Sequence, residues 1–279
     1  MNRRGRPRSL SASAGAVAFF AAAAIWAIPM IWTVAVSLHP PDEPLSASNL
    51  WAGSHPTLDN YRQAFEIAPF ARYYLNTIVI VAGILGVQLV TITLAGYAFA
   101  RYRFPGQNVL LFLILAQLMV PSSGLIVPNY TTIRQLHLFD TLLAVMLPYF
   151  GSAFGVFLVR QTFKAVPRAL DDAARVDGAG WLRTLWHVYL PPARPALVAF
   201  ALSSISFHWN DFLWPLIVTN SEASRPLTVG LAVFTQLGEI GAQWPLVTAG
   251  TVIVVGPLLG VFLVFQRQFV DSFVHSGIK

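Results

Sequence analysis

Apolar residues along this chain gather into runs; they do not alternate, and they do not recur at the spacing of one helix face. Six runs, bounded by charges and by proline and glycine clusters, lie at about 14–38, 74–100, 108–128, 141–160, 196–219 and 244–265. Lengths on the order of 20 residues match the rise needed for a helix to cross about 30 Å of hydrocarbon. Because every backbone polar group inside a bilayer must be satisfied internally, the pattern predicts an all-α integral membrane protein with six transmembrane helices. The third run is the weakest: Val109 to Val120 is apolar, but Pro121, Ser122, Ser123 and Gly124 interrupt it, which predicts a kinked or broken helix. Between runs four and five the chain turns polar over about 163–195.

Composition supports a bilayer as solvent. Of 279 residues 56% are apolar and 11% charged, whereas soluble domains are about one quarter charged. The absence of cysteine excludes a disulfide framework, a thiolate metal site and a cysteine nucleophile. A net charge of +6 would suggest nucleic acid in a soluble domain, but here the basic residues sort by side. Arg3, Arg4, Arg6, Arg8, Arg101, Arg103, Arg160, Lys164, Arg168, Arg175, Arg183, Arg194, Arg267 and Lys279 fall on one side, and only Arg62, Arg72, Arg134 and Arg225 on the other. The positive-inside rule therefore predicts both termini in the cytoplasm. This divides the chain into a basic cytoplasmic N-terminus (1–13), a transmembrane domain (14–265) and a cytoplasmic tail (266–279). The first run, with Trp26, Pro29 and Trp32, is too long for a cleaved signal peptide and reads as a retained anchor. In the large outside loop, about 39–73, and at its junction with the second run, the aromatic residues Tyr61, Phe65, Phe70, Tyr73 and Tyr74 suit an interfacial helix against lipid better than a nucleic-acid platform.

The polar insert has internal design. Pro167 suits a helix start, Asp171 and Asp172 sit where the helix dipole favours carboxylates, and Gly178 supplies a left-handed stop. Asp177 is placed to cap the helix that follows. In that second helix Leu182, Leu185, Trp186 and Tyr189 recur on one face, Arg183 and His187 lie off it, and Pro191 and Pro192 end it. The carboxylates do not share a face and His187 lies more than two turns away, so no catalytic or metal-ligating set is read here. Two built helices exceed what a connecting loop needs, which points to protein docking.

Polar residues inside spans face the bundle interior or a water-filled cavity. Run five holds the richest cluster, Ser203, Ser204, Ser206, His208, Trp209, Asn210 and Asp211, followed by Trp214 and Pro215. Two readings stand together: His208, Trp209, Asn210 and Asp211 line a solute pathway, or they satisfy backbone groups freed at the proline break and pack helices. Gln88 and Gln117, isolated polar residues, suit helix-packing donors, and Gln117 is also carried with the pathway set. Gly83, Gly86, Gly96, Gly250, Gly256 and Gly260 fit close helix contacts.

The order Asp172-Ala173-Ala174, two residues, Asp177-Gly178-Ala179, with Leu190 and Pro191 beyond, resembles the EAA loop of ABC importer permeases. YLNT (Tyr74 to Thr77), AGYAFARYRFPG (Ala95 to Gly106), MVPSSGL (Met119 to Leu125) and WNDFLWPL (Trp209 to Leu216) extend the resemblance over nearly the whole chain. The chain is similar to the second, six-span permease subunit of maltose- and trehalose-type systems in the carbohydrate-uptake branch. This resemblance implies the type I ABC importer permease fold with a cytoplasmic coupling helix, in the cytoplasmic membrane of a bacterium or archaeon. The partners it implies are a second, different permease, two ATPase subunits and an extracytoplasmic sugar-binding protein. The ATPase contact falls by resemblance on Asp172, Ala173, Ala174, Asp177, Gly178, Ala179, Trp181 and Leu182, with His275, Ser276, Gly277, Ile278 and Lys279 as a secondary contact. Asp172 departs from the family's usual glutamate by one methylene. The chain lacks a phosphate-binding glycine loop, so it is expected to be a transport subunit and not an enzyme, with ATP and magnesium bound by the partner. The segment from about Asn220 to Trp244 resembles the family's loop facing the binding protein. Other readings kept open are import of a polyol or glycerol-phosphate compound, and a secondary transporter or channel in which Asp211 and His208 carry protons or ions.

Overall fold

The computed structural model describes residues 9–43, 45, 49, 51, 53–237 and 243–277, with side chains described between 15 and 263 apart from residue 261. Among the described residues every regular element is helical. In chain order they are α1 (Ser9–Ser37), α2 (Asp59–Ile67), α3 (Phe70–Arg101), α4 (Gln107–Ala116), α5 (Ile126–Gln135), α6 (Leu142–Met146) and α7 (Ala153–Ala165). There follow α8 (Arg168–Val176), α9 (Trp181–Thr184), α10 (Leu190–Trp209), α11 (Leu213–Val218), α12 (Leu227–Thr235) and α13 (Trp244–Gly277). Gly15–Ser37, Phe70–Arg101 and Trp181–Trp209 are each long and apolar enough to cross a membrane, and two bent helix pairs raise the number to five if each is one span.

The chain divides into two compact units, Met1–Ala68 with Val233–Gly256, and Pro69–Ala232 with Pro257–Lys279. In the first, α1 exposes Phe19, Phe20 and Trp26, as expected of a helix whose solvent is lipid. The chain after it is pinned by Asn60, whose Nδ2 donates to the carbonyls of Ser37 (3.1 Å) and His39 (2.7 Å) from inside α2. Helix α2 falls within the stretch expected to hold an interfacial helix, and Tyr61 in it exchanges a 2.6 Å hydrogen bond with Ser37.

In the second unit α3, α7 and α10 pack around Ile92, Tyr97, Val159, Phe163, Tyr189 and Phe200. Small residues set the spacing. A Cβ on Gly96 would lie 2.8 Å from Val159 Cγ1, and one on Gly155 would lie 2.7 Å from both Ile92 Cγ2 and Phe200 Cε2. Gly96 was expected to serve this way and Gly155 was not. Gly86, Gly256 and Gly260 face open space. A second cluster, with Ile80, Ile84, Ile133, Val145 and Trp214, joins α3 to α5, α6 and α11.

Three runs differ from simple spans. The third breaks as expected, with α4 and its terminal turn meeting Ser122–Gln135 at 104°. The fourth, expected to be continuous, is broken too: Leu142–Tyr149 and Ala153–Ala165 meet at 46°. Pro148 has no N–H to continue the ladder. Ser152 then caps a new helix by accepting from the Gly155 N–H at 3.1 Å, much as Thr141 caps α6. The fifth ends at Trp209, resumes as α11 at Leu213, and does not begin where expected. Pro191 and Pro192 do not terminate the insert's second helix; Trp181–Trp209 is one helix. A π-turn at Leu185–Tyr189 lies just ahead of the prolines, whose missing N–H groups fall at the first turn of α10. The same turn splits the expected apolar stripe: Leu185 and Tyr189 are buried, while Leu182 and Trp186 are exposed.

Candidate functional site

Three breaks converge on one space. The interrupted helical backbone at Gln117–Ser123, at Pro148–Ser152 and after Trp209 surrounds a cavity of about 580 Å³. Irregular backbone at membrane depth is tolerated where it lines a cavity or is buried in protein, so the placement has a physical reason. The walls carry the rings of Tyr149, Phe154, Phe200, Phe207 and Trp214. Between them lie Gln88, Gln117, Ser122, Ser123, Asn129, Ser152, Ser203, Ser204, His208 and Asp211. The volume falls within the range of small-molecule sites, about 300–1,000 Å³. Among the described residues no lysine or arginine lines it.

A hydrogen-bonded network fixes one wall. Gln88, from the middle of α3, donates to the Tyr149 carbonyl (2.7 Å) and accepts from the Ser204 hydroxyl (2.6 Å). Its Nε2 also makes a long 3.5 Å contact with His208 Nε2. Tyr149 stands over the His208 ring at 4.6 Å and donates its hydroxyl to Asp211 Oδ2 at 2.9 Å. The freed backbone of the fourth run is thereby satisfied by a side chain of the second. His208 is buried, and its Nδ1 has no partner.

Of the expected pathway residues, His208, Asp211 and Gln117 meet at this cavity. Trp209 instead lines a void of about 10 Å³ between α3 and α11. Asn210 is exposed and donates back to the Ser206 carbonyl at 2.8 Å, closing the end of α10. His208 and Asp211 thus face the cavity, while Asn210 satisfies a backbone group at the break. Gln88 packs helices as expected and also lines the cavity. Tyr149, Phe154, Asn129 and Ser152 were not singled out: Tyr149, Ser152 and Phe154 lie at or beside the break in a run that read as continuous helix, and Asn129 lies on α5 just past the third run.

The insert forms the second candidate surface. Helix α8 ends at the Asp177 cap, and Gly178 has φ +71°. The Ala179 N–H donates to the Ala174 carbonyl (2.9 Å) and the Gly178 N–H to Arg175 (3.0 Å), the double bond pattern of a Schellman stop. Asp177 does not cap α9 as expected; the N-cap is Gly180, with no side-chain hydrogen bond. Asp172, Ala173, Asp177 and Gly178 are exposed and Ala179 half-buried, while Ala174 turns inward at 9% exposure. Trp181 and Leu182 are exposed and, with Arg183, Trp186 and His187, edge an open groove. His275, Ser276 and Gly277 continue α13 as backbone, and Ile278 and Lys279 lie outside the described residues.

A third structured region follows α11. Burial pushes the Asp140 carboxyl up, but the N–H groups of Asn220 (2.7 Å) and Ser221 (3.0 Å) and the Ser224 hydroxyl outweigh this and hold it well below the usual carboxylate range. Asn76 secures the same loop from α3 through the carbonyls of Ala223 (3.1 Å) and Arg225 (2.8 Å).

Residues 88–273 match the family model of the binding-protein-dependent transport system inner membrane component. The chain belongs to that family. This inner membrane component is 34% identical over 224 residues to the arabinooligosaccharides transport system permease protein AraQ of Halalkalibacterium halodurans, covering 80% of each chain. It is 30% identical to the diacetylchitobiose uptake system permease protein NgcG of Streptomyces coelicolor, over 88% of this chain and 82% of that one. The sn-glycerol-3-phosphate transport system permease protein UgpE of Yersinia enterocolitica is 32% identical, over 75% of this chain and 74% of its own. In fold, the component matches a chain of a bacterial ABC transporter involved in the import of the acidic polysaccharide alginate. The TM-score is 0.84 at 24% identity, over 96% of this chain and 100% of that chain.

Proposed function

We propose that this chain is one of two permeases in an ATP-driven importer, and that its cargo is an uncharged mono- or oligosaccharide. The observation that carries the cargo class is the cavity wall: aromatic rings for sugar faces, amide, hydroxyl and carboxylate groups for sugar hydroxyls, and no cation among the described lining residues. A phosphate monoester would be expected to meet arginine or lysine, the groups that match its charge. Similarity to a glycerol-phosphate permease alone therefore does not decide the cargo, and the arabinooligosaccharide and diacetylchitobiose relatives fit the wall better.

In this reading the helices form six spans with both termini cytoplasmic, the arrangement that the distribution of arginine and lysine supports. The exposed turn Asp172–Ala179, with Trp181 and Leu182, docks on one of two ATPase subunits that bind ATP and magnesium. The tail at His275–Lys279 is a secondary contact. An extracytoplasmic binding protein delivers the sugar, and the loop held by Asp140 and Asn76 is where it would be met. A secondary transporter relaying protons from His208 to Asp211 is less well supported, because the Tyr149 ring lies against His208 while its hydroxyl bonds Asp211, and no hydrogen bond joins the two directly among the described residues.

The test is reconstitution of the complete complex in liposomes with a panel of labelled neutral saccharides and sn-glycerol 3-phosphate. Uptake of a neutral sugar that requires ATP is expected. Selective uptake of the phosphate compound would overturn the cargo assignment, and uptake without ATPase subunits would overturn the importer.

A further inference from the structure

Neighbouring carboxylates in the insert have opposite environments. Asp172 is exposed, but Asp171, one residue and about 100° earlier on α8, turns inward. Its Oδ2 lies 3.5 Å from Nε of Arg101, the last residue of α3, and both side chains are withdrawn from solvent at 17% and 9% exposure. Among the described residues the one other ion pair is Arg62 with Glu66, on the open surface of α2. Arg101 also donates to the carbonyl of Val166, where α7 ends, at 2.5 Å. Its guanidinium stands 4.5 Å from the centre of the Tyr189 ring, and the Tyr189 hydroxyl donates to Asp171 Oδ1. Tyr189 is fully buried in the π-turn and packed edge-on against Tyr97 and Phe163.

We propose that Arg101, Asp171 and Tyr189 are a buried lock that fixes the orientation of the insert, with Asp171 a positioning residue for coupling. The inference rests on the importer reading above and goes beyond it, since that reading assigns contact to the outward residues and no role to the inward ones. Four parts of the second unit meet at this one guanidinium: the end of α3, the end of α7, the first turn of α8, and the π-turn within the long helix to the cavity. A charge buried with one partner tolerates loss of that partner poorly, so the arrangement has one preferred geometry. A docking helix held in this way moves with the spans; one without it would swivel on Val166 and Pro167.

The experiment uses the complete complex in nanodiscs. For Asp171→Asn, amide exchange over 168–180 is expected to rise by about tenfold while the interior of α3 keeps its protection. Sugar transported per ATP hydrolysed is expected to fall by about fivefold or more, with ATP hydrolysis retained. Tyr189→Phe keeps the ring under Arg101 and the core packing, so it serves if the first variant does not fold. Its expected effect is the same in direction and about twofold to threefold in size. Unchanged exchange in both variants would overturn the lock. Increased exchange with an unchanged ratio of transport to hydrolysis would overturn its role in coupling. Failure of the importer reading is seen separately, as absence of ATP-dependent uptake by the unmutated complex.

Discussion

Gly178 offers a perturbation whose cost can be worked from geometry. Its φ of +71° is left-handed, and a Cβ built on it meets no atom within 4 Å, so steric exclusion by neighbours contributes nothing. What remains is the backbone penalty, about 1–2 kcal/mol for an L-residue and at the upper end for a β-branched one. The turn is held by the Gly178 and Ala179 N–H bonds, each contributing about 0.5–1.5 kcal/mol net. Penalty and bonding are therefore of one size, and Gly178→Val shifts the balance between formed and open turn by a factor of roughly 5–30. Asparagine tolerates the left-handed region and alanine stands between. Transport in the reconstituted complex should rank glycine, asparagine, alanine, valine, with valine about tenfold or more below glycine while all four insert equally. Wild-type transport by the valine variant, or an asparagine variant as poor as valine, would refute backbone geometry as the cause.

Other consequences are testable on single variants. Gly155→Ala drives a methyl to within 2.7 Å of Ile92 and Phe200, so thermal unfolding in detergent should show a loss of about 1–3 kcal/mol, whereas Gly86→Ala, in open space on α3, should not be destabilised. His208→Phe keeps a ring between Tyr149 and Phe207 but removes the buried unpaired nitrogen; folding stability, read by thermal unfolding in detergent, should hold or rise. For Asp140 the folded carboxyl lies below its ordinary value of 3.8, so its contribution is complete above that value and is lost as pH falls below it. The protection of amides 219–226 relative to their intrinsic exchange rates should thus fall on acidification below that value in the native chain, and Asp140→Asn should show low protection already at neutral pH and lose that dependence.

Much of the framework was legible because lipid imposes a coarse code: run length gave α1 and α3 to within a few residues at all but the N-terminal end of α1, and Pro121 with Gly124 announced the break in the third run. What escaped reading was the consequence of prolines near other features. Pro148 broke a run that looked continuous, since Gly151 and Ser152 beside it were needed to see a new cap. Pro191 and Pro192 failed to stop a helix, since a π-turn upstream absorbed their missing donors. The cavity was half visible. His208 and Asp211 stood out as polar groups in apolar sequence, but their neighbours Tyr149 and Ser152 became wall residues only through that unforeseen break. Asp171 and Asp172 look alike in sequence, and only the position of Arg101, seventy residues earlier, tells them apart.

The continuity of Trp181–Trp209 gives the molecule a lever. At 29 residues the rod is about 43 Å long, and turning one end through about 10° carries the other through about 7 Å. Its near end is the edge of the exposed groove and its far end, at His208, is a wall of the cavity. A terminated helix at Pro191 would have placed a joint between them and dissipated the motion. Without that joint a slight rocking at the insert is geared up to a displacement wider than a sugar ring where the cargo would sit.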